Sequence, residues 1–72
     1  MKKKFKMNGL QFWRTERDLS QVELSLASGV PRHVIQWHES STRKPSLEYQ
    51  KKLAETLGVS IEKLFMVDNE EG

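Results

Sequence analysis

The sequence predicts an all-α domain of five short helices, and three observations carry that expectation. Apolar residues recur at helical spacing rather than in strand-like alternation. Asn8, Ser20, Ser46 and Ser60 stand before those runs, where a side-chain oxygen can accept from free helix amides. Gly29 and Gly58 follow two of the runs, where a left-handed residue closes a helix without a β-carbon clash.

Taken in order, Asn8 and Gln11 have the spacing of a reciprocal cap, and Leu10, Trp13 and Arg17 fall on related faces of a first helix ending near Asp18. Ser20-Gln21-Val22-Glu23 is a capping box that opens a second helix, continued by Leu24 and Ala27 and closed at Gly29. Pro31 drives Val30 out of the helical region and offers its own fixed φ to a third helix, expected from Pro31 to Glu39. The polar run Ser40-Ser41-Thr42-Arg43-Lys44-Pro45 reads as a loop. Ser46 caps a fourth helix with Leu47, Leu53, Ala54 and Leu57 on its apolar side. Ser60 caps a short fifth helix whose Ile61, Leu64 and Phe65 are expected to return to the core.

A chain of 72 residues allows a single core. With no cysteine for a disulfide and no cluster of metal-ligand residues, packed helices must supply the stability. The net charge of +2 hides a strong asymmetry. Residues 1–17 carry six basic side chains against Glu16, whereas residues 62–72 carry four acidic ones against Lys63. These ends suggest a flexible basic arm over residues 1–7, a folded domain over 8–66 and a flexible acidic tail over 67–72. A short lysine run of this kind can track phosphates or simply remain solvated. The Met-Lys-Lys-Lys opening is not followed by the apolar stretch of a secretory signal, and no run is long enough to span a membrane.

Two short helices joined by a glycine turn form the physical pattern of a helix-turn-helix, which rests one helix on phosphates and projects the other into the major groove. The residues around that turn sharpen the reading. Leu19-Ser20-Gln21-Val22-Glu23-Leu24, Gly29-Val30, Ile35, Glu39, Pro45-Ser46-Leu47-Glu48, Leu57-Gly58-Val59-Ser60 and Leu64-Phe65 together resemble the XRE family. That family includes the lambdoid phage repressors and Cro proteins. The resemblance covers about residues 8 to 66, and it implies a compact five-helix, phage-repressor-like fold that binds operator DNA, usually as a dimer.

Carried over position by position, the resemblance implies that Gln21 clamps a phosphate at the start of the second helix, where exposed amides also suit an anion. It makes the third helix the recognition helix, with Arg32, His33, Gln36 and Trp37 facing base edges or flanking phosphates. Arg32 is the best-suited base reader, because a guanidinium pairs bidentately with guanine. Ser40, Arg43 and Lys44 fall in the loop that lies along the DNA backbone. Arg14 and Glu39 match an ion pair that fixes the recognition helix to the first helix.

Four positions depart from the family pattern. Ser25 replaces a packed alanine, with a hydroxyl that can bond back to its own helix. Gln50 replaces a leucine. His38 occupies the third-helix position that normally holds a buried tryptophan or isoleucine, and Trp37 takes the neighbouring, usually polar place. A slightly rotated helix, with the indole inward and the imidazole outward, accounts for the last two; the alternative leaves Trp37 exposed for contact with DNA or a partner.

Catalysis and cofactor chemistry find no support. His33 and His38 are five apart and do not complete a metal-ligand set, no nucleophile is partnered by a base, and no glycine-rich phosphate loop is present. The expectation is a non-enzymatic transcriptional regulator without metal or cofactor, most simply a repressor acting as a homodimer on double-stranded DNA. Such a protein would work in a prokaryotic or phage-encoded setting, in the cytoplasm at the nucleoid. A protein-interaction module of the same fold, antitoxin-like or regulator-binding, is the rival reading, because fold alone does not decide function.

Overall fold

Asn8 begins the helical body: its Oδ1 accepts from the amides of Leu10 at 2.7 Å and Gln11 at 3.3 Å, opening α1 over Gly9–Glu16. Only this half of the expected reciprocal cap forms. The computed structural model describes residues 6–65 and 67–69, with side chains over 8–65. Four more helices follow: α2 Gln21–Ser28, α3 Arg32–Ser40, α4 Leu47–Leu57 and α5 Ile61–Leu64.

Each boundary has a local cause. Asp18 adopts a left-handed conformation after α1 (φ 58°), so that its amide and that of Leu19 turn back onto the carbonyls of Thr15 and Arg14. Both halves of the Ser20–Glu23 capping box are present, at 3.0 and 2.8 Å. Gly29 closes α2 at φ 80°, a backbone conformation that strains any residue with a β-carbon. Pro31 then stands just ahead of α3, its carbonyl accepting from Val34 and Ile35. Ser46 caps α4 through its hydroxyl, whereas Ser60 precedes α5 without a side-chain cap bond.

Leu10, Leu24, Val30, Val34, Ile35, Leu53, Ala54, Leu57 and Leu64 form one core to which all five helices contribute. The leucine, isoleucine and valine side chains among them, when fully buried, each stabilise by roughly 1.5–3 kcal/mol. Two residues expected in that core lie outside it: Leu47, in the first turn of α4, and Phe65, just after α5, are both exposed. Arg17 binds the ends of α1 and α4 together, donating from Nε and Nη2 to the Leu57 carbonyl, one of the unpaired groups at a helix C-terminus.

Two departures from the family pattern are resolved by hydrogen bonds. The Ser25 hydroxyl reaches across the turn to the Val30 carbonyl at 2.6 Å instead of back along its own helix, tying α2 to the entry of α3. Gln50 is buried at 6% exposure, and its Nε2 donates to the Pro45 carbonyl at 2.8 Å, so the amide anchors the loop before α4.

The structure adds one element that the sequence pattern did not suggest. Residues Lys6–Asn8 (β1) and Val67–Asn69 (β2) pair antiparallel, with Met7 opposite Asp68, and close a small ribbon beside α1. The two ends of the chain carry opposite net charge, which favours their approach. The rest of the expected arm and tail, residues 1–5 and 70–72, lies outside the described residues.

Candidate nucleic-acid interface

With about 100° between successive residues, α3 divides into two faces. Val34, Ile35 and His38 are buried, and on the opposite side Arg32, His33 and Gln36 are exposed. Two residues mark the edges between these faces. Glu39 borders the side toward α1 and α2; Trp37 borders the side toward the loop after α3.

At the Glu39 edge, Arg14 Nε donates to Oε2 at 2.6 Å and Nη2 to Oε1 at 3.1 Å, while Nη1 donates to the Leu19 carbonyl at 2.8 Å. The ion pair implied by the resemblance is therefore present, and it clamps α3 to α1. Gln21 joins the same cluster, with Nε2 3.0 Å from Glu39 Oε1. One amide hydrogen of Gln21 is thus engaged inside the protein, which orients its side chain at the start of α2 and leaves the other hydrogen available.

At the other edge, Trp37 is half-buried against the core. Its ring meets the Arg43 guanidinium at 4.6 Å and the His33 ring edge-on at 4.6 Å. His38 is the inward residue, 2% exposed. The rotated-helix reading, with the indole inside and the imidazole outside, is therefore incorrect. The physical reason lies on two other elements. Asn8 donates from Nδ2 to the His38 carbonyl at 3.1 Å and faces Nδ1 at 3.5 Å, and Phe65 stacks on the imidazole at 4.6 Å.

The capping bonds of Asn8 fix which end of its amide is oxygen, so the group facing Nδ1 is a donor. Nδ1 then acts as the acceptor, which puts the ring proton on Nε2. Among the described residues that atom is buried without a hydrogen-bond partner. Burial pushes the His38 pKa below its ordinary value, only partly opposed by a backbone hydrogen bond and by the Glu39 charge. Position 38 is therefore a neutral, packed histidine. Local periodicity shows Asn8 only as a cap and Phe65 only as a core residue, because contacts about thirty residues apart leave no local pattern.

The loop after α3 keeps its polar groups close to the helix end. Ser41 takes φ 60°, Thr42 donates its amide to the Trp37 carbonyl, and the Ser40 and Thr42 hydroxyls are 2.6 Å apart. Ser40 thus satisfies much of its hydroxyl internally, also donating to the Trp37 carbonyl. Arg43 and Lys44 project beside it, exposed, and line an open hollow together with His38 and Phe65. Arg32, His33, Gln36, Arg43 and Lys44 are all exposed on α3 and its following loop, with Arg43 turned over the Trp37 ring and Lys44 Nζ over the Phe65 ring at 5.6 Å. Among the described residues no helix is long and apolar enough to cross a membrane.

Comparison with known sequences agrees with this geometry. The profile of the helix-turn-helix family matches residues 10–64, from the first core residue of α1 to the last of α5. An uncharacterised helix-turn-helix-type transcriptional regulator of Methanocaldococcus jannaschii is 34% identical over 64 residues, which span 89% of this chain and 97% of that protein. The transcriptional repressor RstR of the cryptic phage CTXphi, from Vibrio cholerae, is 41% identical over 51 residues, 71% of this chain and 46% of the repressor. The chain thus spans about half the length of that second relative. With a matched profile over most of its length, a capped α2, a glycine turn and an α3 clamped by Arg14 and Glu39, this chain belongs to the XRE-type helix-turn-helix family.

Proposed function

We propose that the protein is a sequence-specific, double-stranded-DNA-binding transcriptional regulator that acts as a repressor by occluding its operator. The observation that carries this reading is the division of α3: Arg32, His33 and Gln36 are exposed together while the other face is locked into the core. A rigid helix with long polar side chains on one side suits the major groove, where base edges present distinct donor and acceptor patterns. Arg32 reads bases, His33 and Gln36 flank it, and Arg43, Lys44, Ser40 and Gln21 meet the phosphate backbone. Phosphate neutralisation supplies most of the affinity and α3 the sequence choice. Two copies bind together, each presenting one α3 to a half-site, in the manner of two-fold helix-turn-helix proteins. The names of the two relatives, one a transcriptional regulator and one a repressor, support the same reading.

Titration of the protein against random-sequence duplex at two salt concentrations tests it. A DNA binder weakens steeply as salt rises, because neutralised phosphates release counterions. Absence of binding at both concentrations favours a protein partner instead. That second reading has one structural support: Leu26 is 80% exposed and Val22 46%, one turn apart on the outward side of α2.

A further inference from the structure

Trp37 is an unusual side chain for the border of a DNA-reading face, being half-buried and bracketed by two polar neighbours. Its indole is held by the core on one side. Over the ring lies Arg43, with the guanidinium carbon 4.6 Å from the centroid, and His33 meets it edge-on at an interplanar angle of 77°. Backbone hydrogen bonds support this arrangement. Thr42 N–H returns to the Trp37 carbonyl at 3.0 Å and Ser41 N–H to the His38 carbonyl at 3.1 Å, so the chain folds back over the last turn of α3 and delivers Arg43 above residue 37. Among the described residues no ion pair involves Arg43. Its charge is thus held by an aromatic face, which attracts a cation without neutralising it.

On this basis we infer that Trp37 is a positioning residue for DNA binding: it holds the Arg43 guanidinium ready for a backbone phosphate flanking the bases read by α3. The inference rests on the DNA-binding reading above and deepens it. A free arginine on a loop must give up much side-chain freedom when it grips a phosphate, and an arginine already stacked on a fixed indole has given up part of it beforehand. The stack also links the loop contact to the helix, because Trp37 and His33 lie one turn apart on α3. Trp37 therefore acts through Arg43 and makes no base contact of its own.

The test is a set of anisotropy titrations on random-sequence duplex across a salt series, comparing wild type with Arg43→Ala, Trp37→Leu, Trp37→Phe and the Trp37→Leu/Arg43→Ala double variant. Arg43→Ala should lower the magnitude of the log–log salt slope by roughly 0.9 per protomer, the loss of one phosphate contact. Trp37→Leu should lower it by most of that amount, the double variant should bind no more weakly than Arg43→Ala, and Trp37→Phe should restore the slope. Effects that multiply in the double variant would mean that Trp37 touches DNA directly, and an unchanged slope in Trp37→Leu would mean that it positions nothing. A second measurement needs neither DNA nor a substitution. In the free wild-type protein the Arg43 side-chain protons should show upfield ring-current shifts in NMR, and ordinary shifts there overturn the inference. Failure of the underlying reading looks different, since the wild type itself would then bind no duplex.

Discussion

Arg14 and Glu39 join α1 to α3 through two charge-assisted hydrogen bonds, of 2.6 and 3.1 Å, with only 14% and 7% of their side chains exposed. Removing one partner of such a pair leaves the other charge desolvated and unpaired. Arg14→Met is therefore expected to cost about 3 kcal/mol, toward the low end for a broken buried pair because Gln21 still donates to Glu39. In a domain of this size that loss lowers the melting temperature by roughly 12–24 °C, measurable by circular dichroism. An unchanged melting temperature would show that the pair contributes nothing to the fold.

His38 makes stability depend on pH. Burial depresses its pKa in the folded state, so below the ordinary histidine value of 6.5 the unfolded chain binds the proton more readily than the folded one. The contribution of the neutral imidazole is complete above that value and is lost progressively as the pH falls from 6.5 toward the depressed folded pKa. Thermal melts between neutrality and about pH 5 should show the decline, and His38→Phe should flatten it over that window. NMR titration of the ring protons supplies the direct check: a normal or raised pKa contradicts the packed, neutral assignment.

Gln50 offers a test of a family departure. Gln50→Leu restores the residue usual at that place but strips the buried Pro45 carbonyl of its donor. A lost buried hydrogen bond outweighs a modest apolar gain, giving a net destabilisation of about 1 kcal/mol. Urea unfolding should register it as a lower midpoint; a higher one would mean that the leucine packs well enough to replace the amide.

Much of this architecture is legible in the linear chain because its signals are local. Ser20 and Glu23 are three residues apart and make their box, Gly29 sits one residue past α2 and takes the left-handed conformation, and Ser46 caps α4. The Arg14–Glu39 pair, twenty-five residues apart, came through family resemblance and not through periodicity. What escaped the sequence depends on tertiary company. Nothing near residue 38 announces that Asn8 and Phe65 will enclose its imidazole, so the chemical preference of tryptophan for burial pointed to the wrong neighbour. Hydrophobicity points Leu47 and Phe65 to the core, but both are exposed, and Leu53, Leu57 and Leu64 fill it instead. The ribbon of residues 6–8 and 67–69 joins opposite ends of the chain, a pairing that no local pattern encodes.

In the proposed function the exposed side of α3 reads sequence while the loop beside it holds the DNA backbone, and Arg32 and Lys44 separate those roles. Both side chains are exposed, one in the first turn of α3 and the other in the loop before α4. The decisive measurement is fluorescence anisotropy of Arg32→Ala and Lys44→Ala on a duplex selected from a random library and on random duplex, across a salt series. Arg32→Ala should cost about 1–3 kcal/mol on the selected duplex and much less on random DNA, relaxing the choice at one base pair in each half-site. Lys44→Ala should weaken both duplexes nearly equally and reduce the magnitude of the salt slope by about one per protomer. Equal weakening of both duplexes by Arg32→Ala would contradict its role as a base reader, and no effect from either substitution would contradict DNA binding through this surface.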